Sequence, residues 1–269
     1  MSSLATRVCE ILRKSPSGLF SDFDGVLSEI APTPAAAFAH PGVADTFHRI
    51  AEDVDVAGII TGRAVDDVNR MFPIDTLTVV GNHGLEWWEQ GSRHDHPAGV
   101  EAVQAIATVM AETEKQLSAQ MDTTGMIWEN KRLSSTVHFR NVDDPAAVES
   151  ALLPIVQPLA DAHNLRCTFG KMIIEFRPQA HVTKGTALAQ LVEQHGLRAV
   201  IFAGDDVTDV DGFRTLHELR AQGVKTLAIG VVTPDAHPDV AAYADVTVGS
   251  VAEFATMLAE VADCLERPR

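Results

Sequence analysis

The chain has 269 residues, 46% of them hydrophobic and 22% charged, enough length to bury a sizeable core in one or two domains. Its 37 Asp and Glu against 21 Lys and Arg give a formal net charge of −16, which argues against a nucleic acid or an anionic membrane as partner, because both demand a basic face. Cys9, Cys167 and Cys264 lie far apart without CxxC spacing, so neither a disulfide framework nor a zinc site is expected, and a reducing cytoplasm is the expected compartment.

In chain order, Met1–Lys14 reads as a short amphipathic helix without the long apolar run of a membrane span or a targeting signal. Strands are expected near 18–23, 56–60 and 77–81, alternating with helices near 42–53 and 64–71, the βαβ rhythm of a doubly wound sheet. Pro and Gly clusters at 31–42 and 91–99 read as a loop and a linker. Different material follows: helices at 98–119 and 145–163, a strand at 133–139, and short strands at 165–168 and 171–176. The βαβ rhythm resumes after 183, with a helix at 186–195, strand 198–203, helix 209–222, strands 224–229 and 245–248, and a closing helix at 250–266. The expected fold class is therefore α/β: a doubly wound, Rossmann-like parallel sheet formed by 1–97 and 181–269, with a smaller α/β cap inserted at 98–180.

Four segments at the ends of these elements carry chemistry. Gly18-Leu-Phe-Ser-Asp22-Phe-Asp24-Gly25 is an apolar strand that delivers two acids, two residues apart, to one face of the chain. Crowding like charges there is costly unless a cation or a proton-transfer task accounts for it, and hard carboxylate oxygens suit Mg2+ together with phosphate oxygens. The second strand stops at Thr61-Gly62-Arg63, a hydroxyl and a glycine whose N–H can approach a phosphate closely. Lys184-Gly185 sets an ammonium at a helix N-terminus, where charge and dipole both favour an anion. Strand 198–203 opens into Gly204-Asp205-Asp206-Val-Thr-Asp209, the densest acidic cluster after a strand. Each segment alone is ordinary: a solvated acidic turn, a loop, a surface lysine, the first-turn acids of a helix. Their common placement at carboxyl strand ends or helix starts, where open α/β sheets bind ligands, is what points to phosphoryl transfer.

The order DxDG, TGR, KG, GDDxTD resembles the haloacid-dehalogenase-like phosphatases. That resemblance implies Asp22 as nucleophile, Asp24 as general acid and base, Thr61 and Lys184 as holders of the phosphoryl group, and Mg2+ positioned by Asp22, the Asp24 main chain, Asp205 and Asp209, with Asp206 a further candidate ligand. Val26 stands where the family usually has threonine, and Thr61 where this branch often has serine. Within the inserted segment, Glu129-Asn-Lys131 precedes the strand Leu133–Phe139, and Glu175 interrupts the apolar run 172–176. Carboxylates and ammoniums in a cleft can bond several hydroxyls of a sugar at once. With Gly81-Asn82-His83-Gly84-Leu-Glu86 and the Ile30-Ala-Pro32 loop, these features resemble trehalose-6-phosphate phosphatases.

The implied substrate-binding set is Gly62, Arg63, Asn82, His83, Gly84, Glu129, Lys131, Arg140 and Glu175, and the implied reaction is Mg2+-dependent hydrolysis of trehalose 6-phosphate through an aspartyl-phosphate. The partner is then a small sugar phosphate, with no nucleic acid, membrane or obligate protein partner. A phosphatase for another sugar phosphate, sucrose 6-phosphate or a glycosyl-glycerate phosphate, is the alternative enzyme. A catalytically silent sugar-phosphate-binding module is the alternative from another class. Glu175 has bland partners in Lys171 and Arg177, and His94-Asp-His96 reads as a solvated loop.

Overall fold

The computed structural model describes residues 1–72, 76–233 and 236–266, and the chain divides into two compact units, Met1–His94 with Val182–Arg269 and Asp95–His181. The first unit begins with α1 (Ser3–Leu12), capped by the Ser2 hydroxyl, which accepts from the N–H of Ala5. Its buried residues Ala5, Val8 and Leu12 fall on one helical stripe. Strand β1 (Ser17–Ser21) is buried throughout, as a central parallel strand covered on both faces must be. Helix α2 (Val43–Asp53), strand β2 (Val56–Ile60), helix α3 (Val65–Met71) and strand β3 (Thr78–Gly81) follow.

Two further strands extend the sheet, the second of them within the 91–99 segment expected as a linker. β4 (Glu86–Glu89) runs antiparallel to β3, and β5 (Ser92–Asp95) adjoins β4. The reversal sits at Gln90 and Gly91, both with positive φ (52° and 76°), the backbone that a tight hairpin requires. His94 and Asp95 thus belong to a strand, not a solvated loop. Because glutamine seldom takes positive φ, the dipeptide Gln-Gly gave little turn signal.

The second unit contains α4 (Pro97–Ser118), β6 (Ile127–Asn130), β7 (Ser135–His138), α5 (Pro145–Ala162), β8 (Leu165–Gly170) and β9 (Ile173–Pro178). Its four strands form an antiparallel sheet in the order β6-β7-β9-β8. Glu129 lies within β6, and β7 is shorter than the strand expected at 133–139. Strand alternation gives this sheet two unlike faces. Val137, Ile174 and Phe176 pack with Ile106 and Val109 of α4 and Leu152 and Val156 of α5. Glu129, Thr136 and Glu175 stand in register across three strands on the opposite face.

The chain returns to the first unit through α6 (Lys184–His195), β10 (Ala199–Gly204), α7 (Val210–Ala221), β11 (Lys225–Val231), α8 (Pro238–Tyr243), β12 (Val246–Val248) and α9 (Val251–Leu265). The complete sheet has the order β12-β11-β10-β1-β2-β3-β4-β5, parallel from β12 to β3. Neighbouring side chains divide between its faces. Leu19 joins a cluster with Val8 of α1, Phe47 of α2, Val68 of α3 and Phe254 of α9, while Phe20 packs with Leu188 of α6, Phe213 of α7 and Val240 of α8. Truncating a fully buried phenylalanine such as Phe20 to alanine costs about 3–5 kcal/mol, so each layer contributes substantially to stability.

The expectation about cysteines is overturned. Cys9 of α1 and Cys264 of α9 form a disulfide, their Cα atoms 6.3 Å apart. The pair is 255 residues apart in sequence, and only the packing of the first helix against the last brings the thiols together. With it falls the cysteine argument for a reducing compartment. Among the described residues no helix is long and apolar enough to cross a membrane.

Candidate active site

Parallel strands present their carboxyl ends along one edge, and three adjacent strands deliver acids or a hydroxyl there. Asp22 follows β1, Thr61 follows β2 and Asp205 follows β10. The N–H of Asp22 donates to the carbonyl of Ala203 at 2.8 Å, which ties the first motif to the strand bearing the last. Asp209 sits on the single helical turn Val207–Asp209 beyond β10, and its Oδ2 accepts from the backbone N–H groups of Asp205 (3.0 Å) and Asp206 (3.1 Å). That loop folds tightly because Gly204 lacks a side chain; a Cβ there would lie 2.3 Å from the Cβ of Asp209.

One oxygen from each of Asp22, Asp205 and Asp209 lies within 4.8 Å of the others. Lys184, buried at the first turn of α6, places its Nζ 2.7 Å from both Asp22 Oδ2 and Asp209 Oδ1. Three carboxylates therefore gather beside one ammonium, Asp22 and Asp209 buried and Asp205 half-buried. Burial, reinforced by Asp209 and Asp22, holds the Asp205 carboxyl well above its ordinary range, and burial pushes Asp209 up to about 7 against the pull of Lys184. Lys184 is held well above the usual lysine range: burial opposes its charge, but Asp209 and Asp22 outweigh that. Hard oxygen donors carrying an excess of negative charge in a small space suit a divalent cation such as Mg2+. Gly25 shapes the same pocket, since at φ 74° its Cβ would lie 1.9 Å from Asp205 Oδ2.

Asp24 and Asp206 stand outside this group of three. Asp24 is gripped by the Arg63 fork, with Nε to Oδ2 and Nη2 to Oδ1 both 2.6 Å, while Arg63 Nη1 donates to the carbonyl of Pro34 and the guanidinium lies 5.7 Å from the centre of the Phe23 ring. Asp206 takes part in a reciprocal capping box with Asp209. Val26, at the position where threonine was the expectation from resemblance, is fully buried in the apolar cluster beneath β1.

The segment after β3 folds back onto the end of β2. Asn82 donates from its N–H to the carbonyl of Arg63, and His83 to that of Thr61, both at 2.8 Å. Asn82 and His83 both take positive φ, 48° and 56°. Gly62 lies flat against the His83 ring, where a Cβ would meet Nε2 at 2.5 Å, and Gly84 lies against Val182. Glu86, whose only signal in the sequence is its place at the end of that motif, is buried and accepts from the N–H of Val65, which fixes the start of α3.

In the second unit, Glu129, Lys131 and Glu175 meet on the polar face of the sheet. Lys131 Nζ lies 3.4 Å from Glu175 Oε1 and 4.0 Å from Glu129 Oε2. Arg177, expected as a partner of Glu175, places its Nη1 4.0 Å from Glu175 Oε2, and sequence reasoning missed two neighbours: His138, whose Nε2 is 2.7 Å from Glu129 Oε2, and Thr136. The hydroxyl of Thr136 is buried with no hydrogen-bond partner among the described residues. Its alternation with Glu129 and Glu175 across the register was the available signal, but it becomes visible only once β6 is known to be a strand. Arg140 is exposed and reaches the carbonyl of Lys171, apart from this cluster.

Residues 20–247 match the profile of the trehalose-phosphatase family. A trehalose-phosphate phosphatase of Mycobacterium tuberculosis is 32% identical over 72% of this chain and 50% of its own length. An uncharacterized glycosyl hydrolase of the same organism is 36% identical, again over 72% of this chain but only 15% of its own length. The chain thus spans about half the length of one curated relative and a small part of the other. In fold it resembles the C-terminal domain of C. albicans trehalose-6-phosphate phosphatase, with TM-score 0.78, 19% identity and 96% of each chain covered.

Proposed function

Since the chain belongs to the trehalose-phosphatase family, we propose that it hydrolyses trehalose 6-phosphate to trehalose and inorganic phosphate with the aid of Mg2+. The observation that carries this reading is the group Asp22, Asp205 and Asp209 gathered beside the buried Lys184. A carboxylate oxygen of Asp22 attacks phosphorus, forming an aspartyl-phosphate as the bond to the sugar oxygen breaks, and Asp24 gives that oxygen its proton. Asp24 then takes a proton from the water that cleaves the aspartyl-phosphate, which returns both carboxyl groups to their starting state. The Thr61 hydroxyl and the Lys184 ammonium offset charge on the phosphoryl oxygens. When bound by Asp22, Asp205, Asp209 and the Asp24 main chain, Mg2+ supplies further charge neutralisation at those oxygens.

The bidentate Arg63–Asp24 pair bears directly on the acid step. Each Asp24 oxygen accepts from Arg63 and keeps a second lone pair, so the proton for the leaving group is carried beside the fork or after it opens. In the second unit, Glu129, Lys131, His138 and Glu175 offer the mixed donors and acceptors that sugar hydroxyls require, and the orphan hydroxyl of Thr136 supports a polar ligand at that face.

One panel tests the reading: phosphate release from trehalose 6-phosphate, sucrose 6-phosphate and glucose 6-phosphate, in Mg2+ and in EDTA. Release from the trehalose ester should dominate, stop in EDTA and vanish in Asp22→Asn without loss of the folded state. In Glu129→Ala and Glu175→Gln, KM for the disaccharide ester should rise by about tenfold or more, as expected when a charged group's hydrogen bond is removed, while a small generic phosphate ester is little affected. Turnover retained in Asp22→Asn would refute the nucleophile, and preference for the sucrose ester would favour the alternative substrate.

A further inference from the structure

A second concave feature lies at the opposite end of the strands from the acid cluster. A cavity of about 480 Å³ opens between α1 and the turn that joins α7 to β11. Lys225 on its rim begins β11, whereas Gly230 of β11 pairs with Gly204, the residue just before Asp205. Five steps of about 3.3 Å separate these levels, roughly 17 Å along the strands.

The charge of this cavity runs against that of the whole molecule. Arg7 and Lys14 of the α1 segment face Arg220 and Lys225, with Glu10 as the one carboxylate among the lining residues. Arg220, on the same lining, is held by Asp245, and away from the cavity Arg49 is held by Asp263 and Glu266. Arg7, Lys14 and Lys225 are exposed and have no ion-pair partner among the described residues. Three cations without an ion-pair partner, with Glu10 the one carboxylate beside them, leave a local excess of positive charge that favours an anionic occupant in a chain of net charge −16. Ile11 and Val224 add apolar wall between the charged tips, which a bare inorganic ion would not use.

The helix that carries Arg7 and leads into Lys14 is also fixed in place. Cys9 is bonded to Cys264, Arg13 donates to the carbonyl of Cys264, and the Ser2 hydroxyl donates to Glu260. A wall held in this way need not be ordered on binding.

From this combination we propose that the groove is a second ligand site, which takes a small phosphorylated organic molecule: its anionic groups on Arg7, Lys14 and Lys225, its ring or carbon body against Ile11 and Val224. Nothing in this inference depends on the reaction at the acid cluster. The arginine fork suits a phosphate bidentately, and the two lysines can follow anionic groups of differing spacing.

A fluorescent pyrene polysulfonate, which carries fixed negative charges on an apolar ring and is not a phosphatase substrate, serves as probe for the 269-residue, Mg2+-loaded protein. Its anisotropy should rise saturably, and affinity should fall by about tenfold or more in Lys14→Glu/Lys225→Glu, as reversal of charges facing an anion requires. Arg7→Gln should give a smaller loss, and a melting temperature close to that of the parent protein identifies the variants as folded. Asp22→Asn should bind the probe as the parent protein does, which separates this groove from the acid cluster whatever the latter's activity. Adenosine monophosphate or glucose 6-phosphate should displace the probe at lower concentration than inorganic phosphate. Absence of saturable binding, equal affinity in the charge-reversed protein, or loss of binding in Asp22→Asn would overturn the proposal. Displacement by inorganic phosphate at equal concentration would overturn the role given to Ile11 and Val224.

Discussion

Asp209 illustrates how burial at a single residue couples stability to pH and to metal. Its carboxyl is pushed up to about 7 in the native protein, from an ordinary 3.8, chiefly by burial beside Asp22. Between those values the native chain keeps a proton that the unfolded chain has lost. The stability from this group is therefore fully present below pH 3.8 and is lost as pH rises through about 7. A divalent cation needs the ionised carboxylate and competes with the proton, so Mg2+ should raise the melting temperature more at about pH 8 than at about pH 5.5. Thermal unfolding in Mg2+ and in EDTA at both pH values checks this, and equal shifts would contradict the assignment of Asp209 to a cation site. Arg63 teaches a different lesson at the same scale: its place in the TGR segment suggested contact with substrate, yet in this structure its fork holds Asp24.

At the scale of the element, the acid loops depend on glycines that bring backbone against carboxylate. Gly25→Ala would combine left-handed strain of about 1–2 kcal/mol with a Cβ 1.9 Å from Asp205 Oδ2, so both stability and phosphate release should fall. Gly196 ends α6 at φ 59°, and a Cβ there would meet nothing within 4 Å, so Gly196→Ala should cost the strain alone and leave turnover unchanged. Melting curves paired with phosphate assays separate the two effects; equal activity in both variants would show that close approach at Gly25 does not matter. The βαβ elements were legible because buried parallel strands are continuous apolar runs bounded by loop residues. Strands β4, β5 and β6 were not: they are four residues each, carry charge or tryptophan, and owe their pairing to hairpin geometry.

Across the whole molecule, the disulfide ties the two ends of the chain through packed helices. Closing so long a loop restricts the unfolded chain far more than the native one, and pairs of this kind contribute about 2–4 kcal/mol. Reductant should therefore lower the melting temperature of the first unit, and Cys264→Ser should melt at the reduced protein's temperature with no further response to reductant. An unchanged melting curve on reduction, with free thiols verified by mass spectrometry, would contradict this. Cys167, in the second unit, makes a poor bystander nucleophile, because burial pushes its thiol up to about 11.

By itself the sequence determined the doubly wound sheet and the positions of the four acidic, hydroxyl and lysine segments, because strand burial and loop chemistry are written locally in hydrophobic runs and their boundaries. Which acids share one pocket is a property of strand order: Asp22 and Asp205 are distant in the chain, and meet because β1 and β10 are neighbours in the sheet. The same holds for the Cys9–Cys264 bond, the Arg63 fork on Asp24, and the unpaired cations of the groove beside α1. Such contacts join residues far apart in sequence through packing, and no local pattern of residues encodes them.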